Sequence, residues 1–178
     1  YEGPWFIDYL IRKSWYDQTT YKMVHLAEYL RLEPVQQVCK PSQSSWGYKG
    51  FHEYWVNEAN AWIYPHLHEA TERMIELSQR QAQDEWEKRA LNQAARELLL
   101  AQSSDWAFIM RTGTMVPYAV RRTRSHLRRF NKLYDEIMGE KLDRAWLEKV
   151  ETIDNIFPNL DYQVYSPIEE PIKLGRQP

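Results

Sequence analysis

Between residues 60 and 154, apolar side chains recur at spacings of three and four, which places them on one face of an α-helix. The spacing is carried by Ile63, Leu67, Ala70, Met74 and Leu77, and again by Ala90, Leu91, Ala94, Ala95, Leu98 and Leu99. Glycine, which weakens a helix interior, occurs only 6 times in the 178 residues. The pattern predicts a mainly α-helical domain with four or five helices in this range.

Residues with capping side chains divide this range into separate helices. The predicted N-caps are Asn60, Asp84 with Glu87 as a capping box, Ser104 or Asp105, Thr114, and Asp143. The predicted ends are Ser103, Gly113 and Gly139. Pro65 is expected in the first turn of the first of these helices or at a kink.

The two ends of the chain lack this period. Pro4 is expected to open a short helix that includes Trp5, and residues 21–26 have the composition of a strand. Together they suggest the edge of an α/β unit. The opening Tyr-Glu-Gly-Pro has no leader character, so we expect a segment of a longer chain. The segment after Phe157 contains several prolines and is expected to lie along the surface.

A loop with many large rings precedes the helical range. Residues 40–60 combine turn-forming residues with Trp46, Tyr48, Phe51, Tyr54 and Trp55. Indole rings pack on the C–H faces of sugars, whose hydroxyls bind carboxylate, amide and guanidinium groups. Asp105, directly before Trp106 at a helix junction, would supply such a carboxylate or cap a helix. Composition therefore leaves two interpretations of the loop open, a sugar-binding surface and an aromatic core.

Residues suited to other chemistries are present without the required spacing. Most Glu and Asp residues lie on predicted polar helix faces and are interpreted as solvated surface. His66 and His68 are two residues apart and point in different directions on a helix, which argues against a metal site with Glu69. Cys39 is the single cysteine and has no partner for a disulfide or a nucleophilic pair. We expect neither a metal nor a cofactor.

The charge pattern also restricts the partners. The formal net charge is −2, which argues against general polyanion binding. Residues 111–132 carry seven basic and no acidic side chains, and we expect these to pair with acidic residues elsewhere rather than with nucleic acid. No run of apolar residues is long enough to predict a membrane span. The single cysteine and the lack of a signal peptide suggest the cytoplasm.

Four separated motifs carry a resemblance to a known family. They are Tyr-Glu-Gly-Pro-Trp-Phe at residues 1–6, Ser-Ser-Trp-Gly at 44–47, the segment 90–106 that ends in Ser-Ser-Asp-Trp, and Asp-Asn-Ile-Phe-Pro at 154–158. In this order they resemble the C-terminal part of the 1,4-α-glucan branching enzymes of glycoside hydrolase family 57. The resemblance runs from residue 1 to about residue 165.

This resemblance implies a division into domains and a set of substrate residues. Residues 1–45 would form the terminal edge of a catalytic (β/α)7 barrel that is largely absent from this chain, residues 46–165 a helical C-terminal domain, and residues 166–178 an extended tail. Trp46, Trp55 and Asp105 are implied to bind substrate. Trp5 and Trp106 are further candidates, although packing would also explain them. The family's catalytic Glu and Asp would lie upstream, so this chain would hold no catalytic residue and be inactive alone.

The function that the resemblance implies is transfer of an α-1,4-glucan segment to a 6-hydroxyl, which forms α-1,6 branches in glycogen-like α-glucan. The partners would be the α-glucan and the upstream barrel of the same enzyme. Such a transfer would proceed with retention through a covalent glycosyl intermediate. Two alternatives stay open: a non-catalytic glucan-binding or assembly module, and part of a related 4-α-glucanotransferase or α-amylase.

Overall fold

The computed structural model describes residues 1–167. These residues form seven α-helices and two short 3-10 turns, and they contain no β-strand. The helices are α1 (Glu2–Tyr16), α2 (Leu26–Leu32), α3 (Ile63–Ser78), α4 (Glu85–Ala101), α5 (Ser104–Thr112), α6 (Val116–Met138) and α7 (Arg144–Ile153). The 3-10 turns cover Tyr48–Gly50 and Tyr162–Tyr165. The prediction of a mainly helical fold is confirmed, and none of these helices is long and apolar enough to cross a membrane.

The chain divides into two compact units between Gln43 and Ser44. The first unit contains α1 and α2, which bury none of their side chains. The prediction of a strand at residues 21–26 is wrong, because Leu26 begins α2. His25 caps this helix, because its Nδ1 accepts the Glu28 amide hydrogen. A strand at residues 21–26 without a neighbouring strand would leave its backbone amides and carbonyls without partners.

The core of the second unit lies between α4 and α6. These two helices make the most extensive contact, α3 packs against both, and α5 packs against α6. Leu91 and Leu98 of α4 are fully buried, as are Phe130 and Leu133 of α6. The apolar face predicted for residues 90–99 is therefore the face that meets the other helices.

Several predicted helix boundaries are confirmed. Asp84 Oδ1 accepts the Glu87 amide hydrogen at 2.8 Å, and the Glu87 carboxylate in turn accepts the Gln83 amide. Asp143 caps α7 in the same way. Gly113 ends α5 in the left-handed conformation that glycine adopts without strain.

Three predicted N-caps are wrong by one or two residues. The N-caps in the structure are Trp62 for α3, Ser103 for α5 and Met115 for α6, in place of Asn60, of Ser104 or Asp105, and of Thr114. The Thr114 hydroxyl lies 3.1 Å from the Thr112 hydroxyl instead of binding helix amides. Asn60 is fully buried and bonds to backbone groups outside α3. Sequence identifies residues able to cap, but tertiary contacts decide which of them do so.

Irregular segments flank the helices of the second unit. The aromatic loop, residues 44–62, precedes α3 and includes the 3-10 turn Tyr48–Gly50. The segment after Phe157 does not lie wholly on the surface, because Tyr162 is buried and its hydroxyl donates to the Arg80 carbonyl at 2.9 Å. Of the predicted tail, residues 168–178 lie outside the described residues.

Candidate functional site

An open cavity of about 380 Å³ lies between the aromatic loop and the N-terminal end of α5. Its lining consists of Trp46, Trp55, Ser104, Asp105 and Phe108. The two indole centroids are 6.3 Å apart and their planes form an angle of 42°. Trp46 is 67% exposed, so its ring is accessible to a ligand. The structure thus brings three of the five predicted substrate residues to one cavity.

Phe108 of α5 is the ring on which the aromatic loop packs. Its centroid lies 5.8 Å from that of Trp46, 5.4 Å from Tyr54 and 6.0 Å from Trp55. Phe108 was not predicted from the sequence as a site residue. Its spacing of three from Asp105 was the available signal, because residues three apart in a helix share a face.

Gly47 allows the turn that follows Trp46. Its φ of +80° lies in the left-handed region, where any residue with a side chain is strained. A Cβ atom at this position would also lie 2.5 Å from Cδ2 of Tyr54, closer than real Cβ contacts allow. Both the backbone conformation and the close packing of the Tyr54 ring therefore require glycine beside the exposed indole.

Asp105 places a carboxylate at the edge of the cavity. It lies in the first turn of α5, where the helix dipole favours a negative charge. Oδ2 accepts a hydrogen bond from the Ser103 hydroxyl at 3.0 Å, and among the described residues no donor reaches Oδ1. The exposed side chain therefore keeps an acceptor free for a ligand hydroxyl.

An ion pair also joins the aromatic loop to α5. Arg111 donates to the Glu53 carboxylate at 2.8 Å. The Arg111 guanidinium carbon also lies 5.9 Å from the ring centroids of both Tyr48 and Tyr54. These contacts hold the loop close to the helix that carries Asp105.

Two of the predicted substrate residues lie elsewhere. Trp106 does not line the cavity: its Nε1 donates to the Leu100 carbonyl at 2.7 Å, and its ring stacks on His126 with centroids 6.5 Å apart. Trp106 is therefore a packing residue within the helical unit. Trp5 lies on α1 in the first unit, where it is exposed and stacks on Tyr9.

A family model described as "1,4-alpha-glucan branching enzyme, C-terminal" matches residues 66–165, more than half of the chain. The chain belongs to this family. The 1,4-alpha-glucan branching enzyme TK1436 of Thermococcus kodakarensis is 39% identical over an alignment of 121 residues, and the match covers 65% of this chain and 18% of that protein. The resemblance to the C-terminal region of family 57 branching enzymes is thereby confirmed.

Two solved branching enzymes and a solved α-amylase are similar to this chain. The GH57-type branching enzyme of Pyrococcus horikoshii is 31% identical with a TM-score of 0.71, and the match covers 84% of this chain and 30% of that one. TK1436, solved with glucose and additives, is 32% identical with a TM-score of 0.73, and the match covers 85% of this chain and 28% of that one. The α-amylase AmyC of Thermotoga maritima is 38% identical with a TM-score of 0.64, and the match covers 94% of this chain and 30% of that one. The chain thus spans less than a third of each relative.

The branching-enzyme domain also contains a buried polar cluster that was not predicted from the sequence. His126 Nδ1 lies 2.7 Å from Glu97 Oε2 and 3.8 Å from Asp154 Oδ2, and all three side chains are buried. Such a group has the residue types of a metal site. However, Arg129 pairs with Asp154, and Gln93 donates to Glu97. Because protein donors occupy the carboxylates, we interpret the cluster as a buried hydrogen-bonded polar network rather than as a metal site.

This network holds the turn at residues 154–158. The Gln93 amide donates to the Asp154 carbonyl at 3.3 Å. Arg96 donates to the carbonyls of Ile156 and Phe157, at 2.5 Å and 3.4 Å. Phe157 has a φ of +56°, a strained conformation for a bulky residue that persists only when its surroundings impose it. The motif at residues 154–158 therefore has a structural explanation.

Glu97→Gln should change how stability depends on pH. Burial raises the pKa of Glu97 above its ordinary value, and Asp154 adds to the rise, although the hydrogen bond from His126 opposes it. The folded state therefore binds this proton more tightly than the unfolded state. Stabilisation from this group is complete below the ordinary glutamate pKa and is lost as pH rises through the raised folded pKa.

We therefore expect the melting temperature of Glu97→Gln, relative to that of the native sequence, to improve as pH rises through this window. Thermal unfolding at a series of pH values measures the difference. Glu72→Gln is the control, because Glu72 is exposed on the neighbouring helix α3. If the melting temperatures of Glu97→Gln and the native sequence differ by the same amount at every pH, the pKa of Glu97 is not raised in the folded state.

Proposed function

We propose that this chain contributes the C-terminal part of the substrate cleft of an α-glucan branching enzyme. The observation that supports this proposal is the cavity that combines two tryptophans with a free carboxylate acceptor. Indole rings accept the flat faces of glucose units, and Asp105 accepts hydrogen bonds from their hydroxyls. Family membership supports α-glucan as the ligand class.

The complete reaction would need residues that this chain does not supply. A Glu nucleophile would attack the anomeric carbon of an α-1,4 linkage, and an Asp would protonate the leaving chain. A glucan 6-hydroxyl would then displace the enzyme, so that the configuration is retained and an α-1,6 branch forms. Both carboxylates would lie on a (β/α)7 barrel upstream, which makes the isolated chain inactive.

The same proposal divides the chain by role. Residues 1–45 complete the barrel, residues 46–165 form the helical domain beside the cleft, and residues 166–178 form a tail. The partners are the α-glucan and the barrel, and the enzyme acts in the cytoplasm. Within the cleft, the indoles exclude water and hold the acceptor chain, which favours transfer over hydrolysis of the covalent intermediate.

Replacing Trp46 tests the cavity. We expect Trp46→Ala in the complete protein to weaken maltoheptaose binding and branching about tenfold. The reason is that the stacking contact, which contributes on the order of 1 kcal/mol or more of binding free energy, is lost. Stability should change little, because Trp46 is 67% exposed. Isothermal titration, a branching assay and thermal melting measure the three quantities.

Phe51→Ala is the matched control for this experiment. Phe51 lies in the same loop and is 74% exposed, but it does not line the cavity. Its removal should leave binding and branching near the native values. If Trp46→Ala melts many degrees lower but binds maltoheptaose normally when folded, Trp46 is a core residue and the glucan-binding proposal fails.

The similarity to AmyC favours a second candidate, an α-amylase with the same helical domain. A related 4-α-glucanotransferase is the other alternative. The products distinguish these activities. A branching enzyme acting on amylose produces α-1,6 linkages, which NMR detects, whereas an amylase produces new reducing ends and a glucanotransferase changes only chain lengths. A complete protein that binds glucan without any of these products would be a non-catalytic glucan-binding module.

A further inference from the structure

Asn60 connects the aromatic loop to α5 through a buried side chain. It is 0% exposed. Its Oδ1 accepts the Asn57 amide hydrogen at 2.9 Å, which closes the turn at the end of the loop. Its Nδ2 donates to the Tyr54 carbonyl in the loop and to the Ala107 carbonyl in α5, each at 3.0 Å. One side chain thus uses both amide hydrogens to join two segments of backbone.

The two carbonyls that Asn60 joins are next to the residues of the cavity. Tyr54 directly precedes Trp55, and Ala107 lies between Trp106 and Phe108. The connection therefore fixes the backbone of the loop relative to the backbone of the helix at the point where both line the cavity.

We infer that Asn60 is a positioning residue of the cavity, which holds Trp46 and Trp55 at a set distance from Asp105 and thereby sets the affinity for α-glucan. The inference rests on the proposed function. A ring and a carboxylate that contact the same sugar chain must keep their spacing, and a preformed spacing removes the ordering cost of binding.

The other contacts between the loop and α5 do not supply the same precision. The side chains of Glu53 and Arg111 are 37% and 36% exposed, so solvent weakens their pairing. Aromatic contacts such as the tilted pair of Trp46 and Phe108 tolerate a range of offsets. The hydrogen bonds of Asn60 are directional and buried, and their loss leaves backbone groups without partners.

Asn60→Ser in the complete protein tests this inference. Serine has one hydroxyl on a shorter side chain, so this variant loses the two Nδ2 hydrogens that bond the Tyr54 and Ala107 carbonyls. Asn60→Ala is the second variant and removes all three bonds. Gln93→Ala is the matched control, because Gln93 is an equally buried amide that bonds to a distant carbonyl, at Asp154, and does not line the cavity.

Two measurements separate positioning from general stability. Hydrogen exchange of the backbone amides of residues 44–56 reports on the loop without any ligand. We expect it to rise about tenfold in Asn60→Ser and to stay unchanged in Gln93→Ala, although both variants melt at lower temperature. Below the melting range, the KM for maltoheptaose and its dissociation constant should rise about fivefold or more in Asn60→Ser, with a smaller change in kcat.

Three results would overturn the inference. They are unchanged loop exchange in folded Asn60→Ser, equal loss of glucan affinity in Gln93→Ala, and failure of both Asn60 variants to fold while Gln93→Ala folds. The last result would make Asn60 a residue of the whole fold rather than of the cavity. If Trp46→Ala and Asn60→Ser both leave maltoheptaose binding unchanged while loop exchange rises in Asn60→Ser, the glucan-binding proposal fails and Asn60 still positions the loop.

Discussion

Phe130→Ala should lower the free energy of unfolding of the second unit by about 3–5 kcal/mol, the largest loss of stability expected from a single substitution discussed for this protein. Phe130 is 0% exposed and lies on α6 where that helix meets the core. Removing its ring leaves a cavity that the packed helices cannot fill completely. Since a domain of this size is stable by about 5–15 kcal/mol, the variant loses a large part of its total stability.

Denaturant unfolding followed by circular dichroism measures this loss. Met138→Ala is the control, because Met138 lies at the end of the same helix and is 41% exposed. We expect that control to change the free energy of unfolding by less than about 1 kcal/mol. A loss in Phe130→Ala as small as that in Met138→Ala would contradict the position of the core between α4 and α6.

Asp105→Asn should lower kcat/KM for branching roughly tenfold in the complete enzyme, while the melting temperature stays almost unchanged. A hydrogen bond from a sugar hydroxyl to a carboxylate is about twice as strong as one to a neutral amide. Asp105 does not cap α5, because Ser103 is the N-cap residue. Asp105→Asn therefore removes only the modest stabilisation that comes from the attraction between the carboxylate and the helix dipole.

Asp84→Asn is the matched control, since Asp84 caps α4 far from the cavity and asparagine caps a helix about as well as aspartate. It should keep both its stability and its branching activity. A rise in the ratio of hydrolysis to transfer in Asp105→Asn would indicate that Asp105 holds the acceptor chain. Normal branching kinetics in folded Asp105→Asn would remove this residue from the site.

Local sequence signals were sufficient to predict the helices that have a strong 3.6-residue apolar period and clear capping residues. The Ala- and Leu-rich face of residues 90–99 and the capping box at Asp84 each involve residues within about three helical turns, so the sequence itself shows the stabilising pattern. The strand predicted at residues 21–26 failed for the converse reason. Strand formation depends on pairing with a distant segment, whereas the His25 cap that begins α2 is local.

The cavity was predictable only in part. The resemblance to branching enzymes identified Trp46, Trp55 and Asp105, which the structure brings to one cavity. Phe108 and Asn60 were not identified as site residues. Their contacts cross from the aromatic loop to α5, and Asn60 meets the Ala107 carbonyl 47 residues away. Such contacts leave no periodic pattern in the sequence.

By itself, the sequence determined the helical class, several helix boundaries and the family, because each depends on spacing or motifs along the chain. Tertiary structure decided which polar residues lie inside the fold and what they bind. Asn60, predicted as a cap, joins the loop to α5, and His126 lies between Glu97 and Asp154 in the core. The physical reason is that a buried polar group must find a partner, and packing of distant segments determines which partner is within reach.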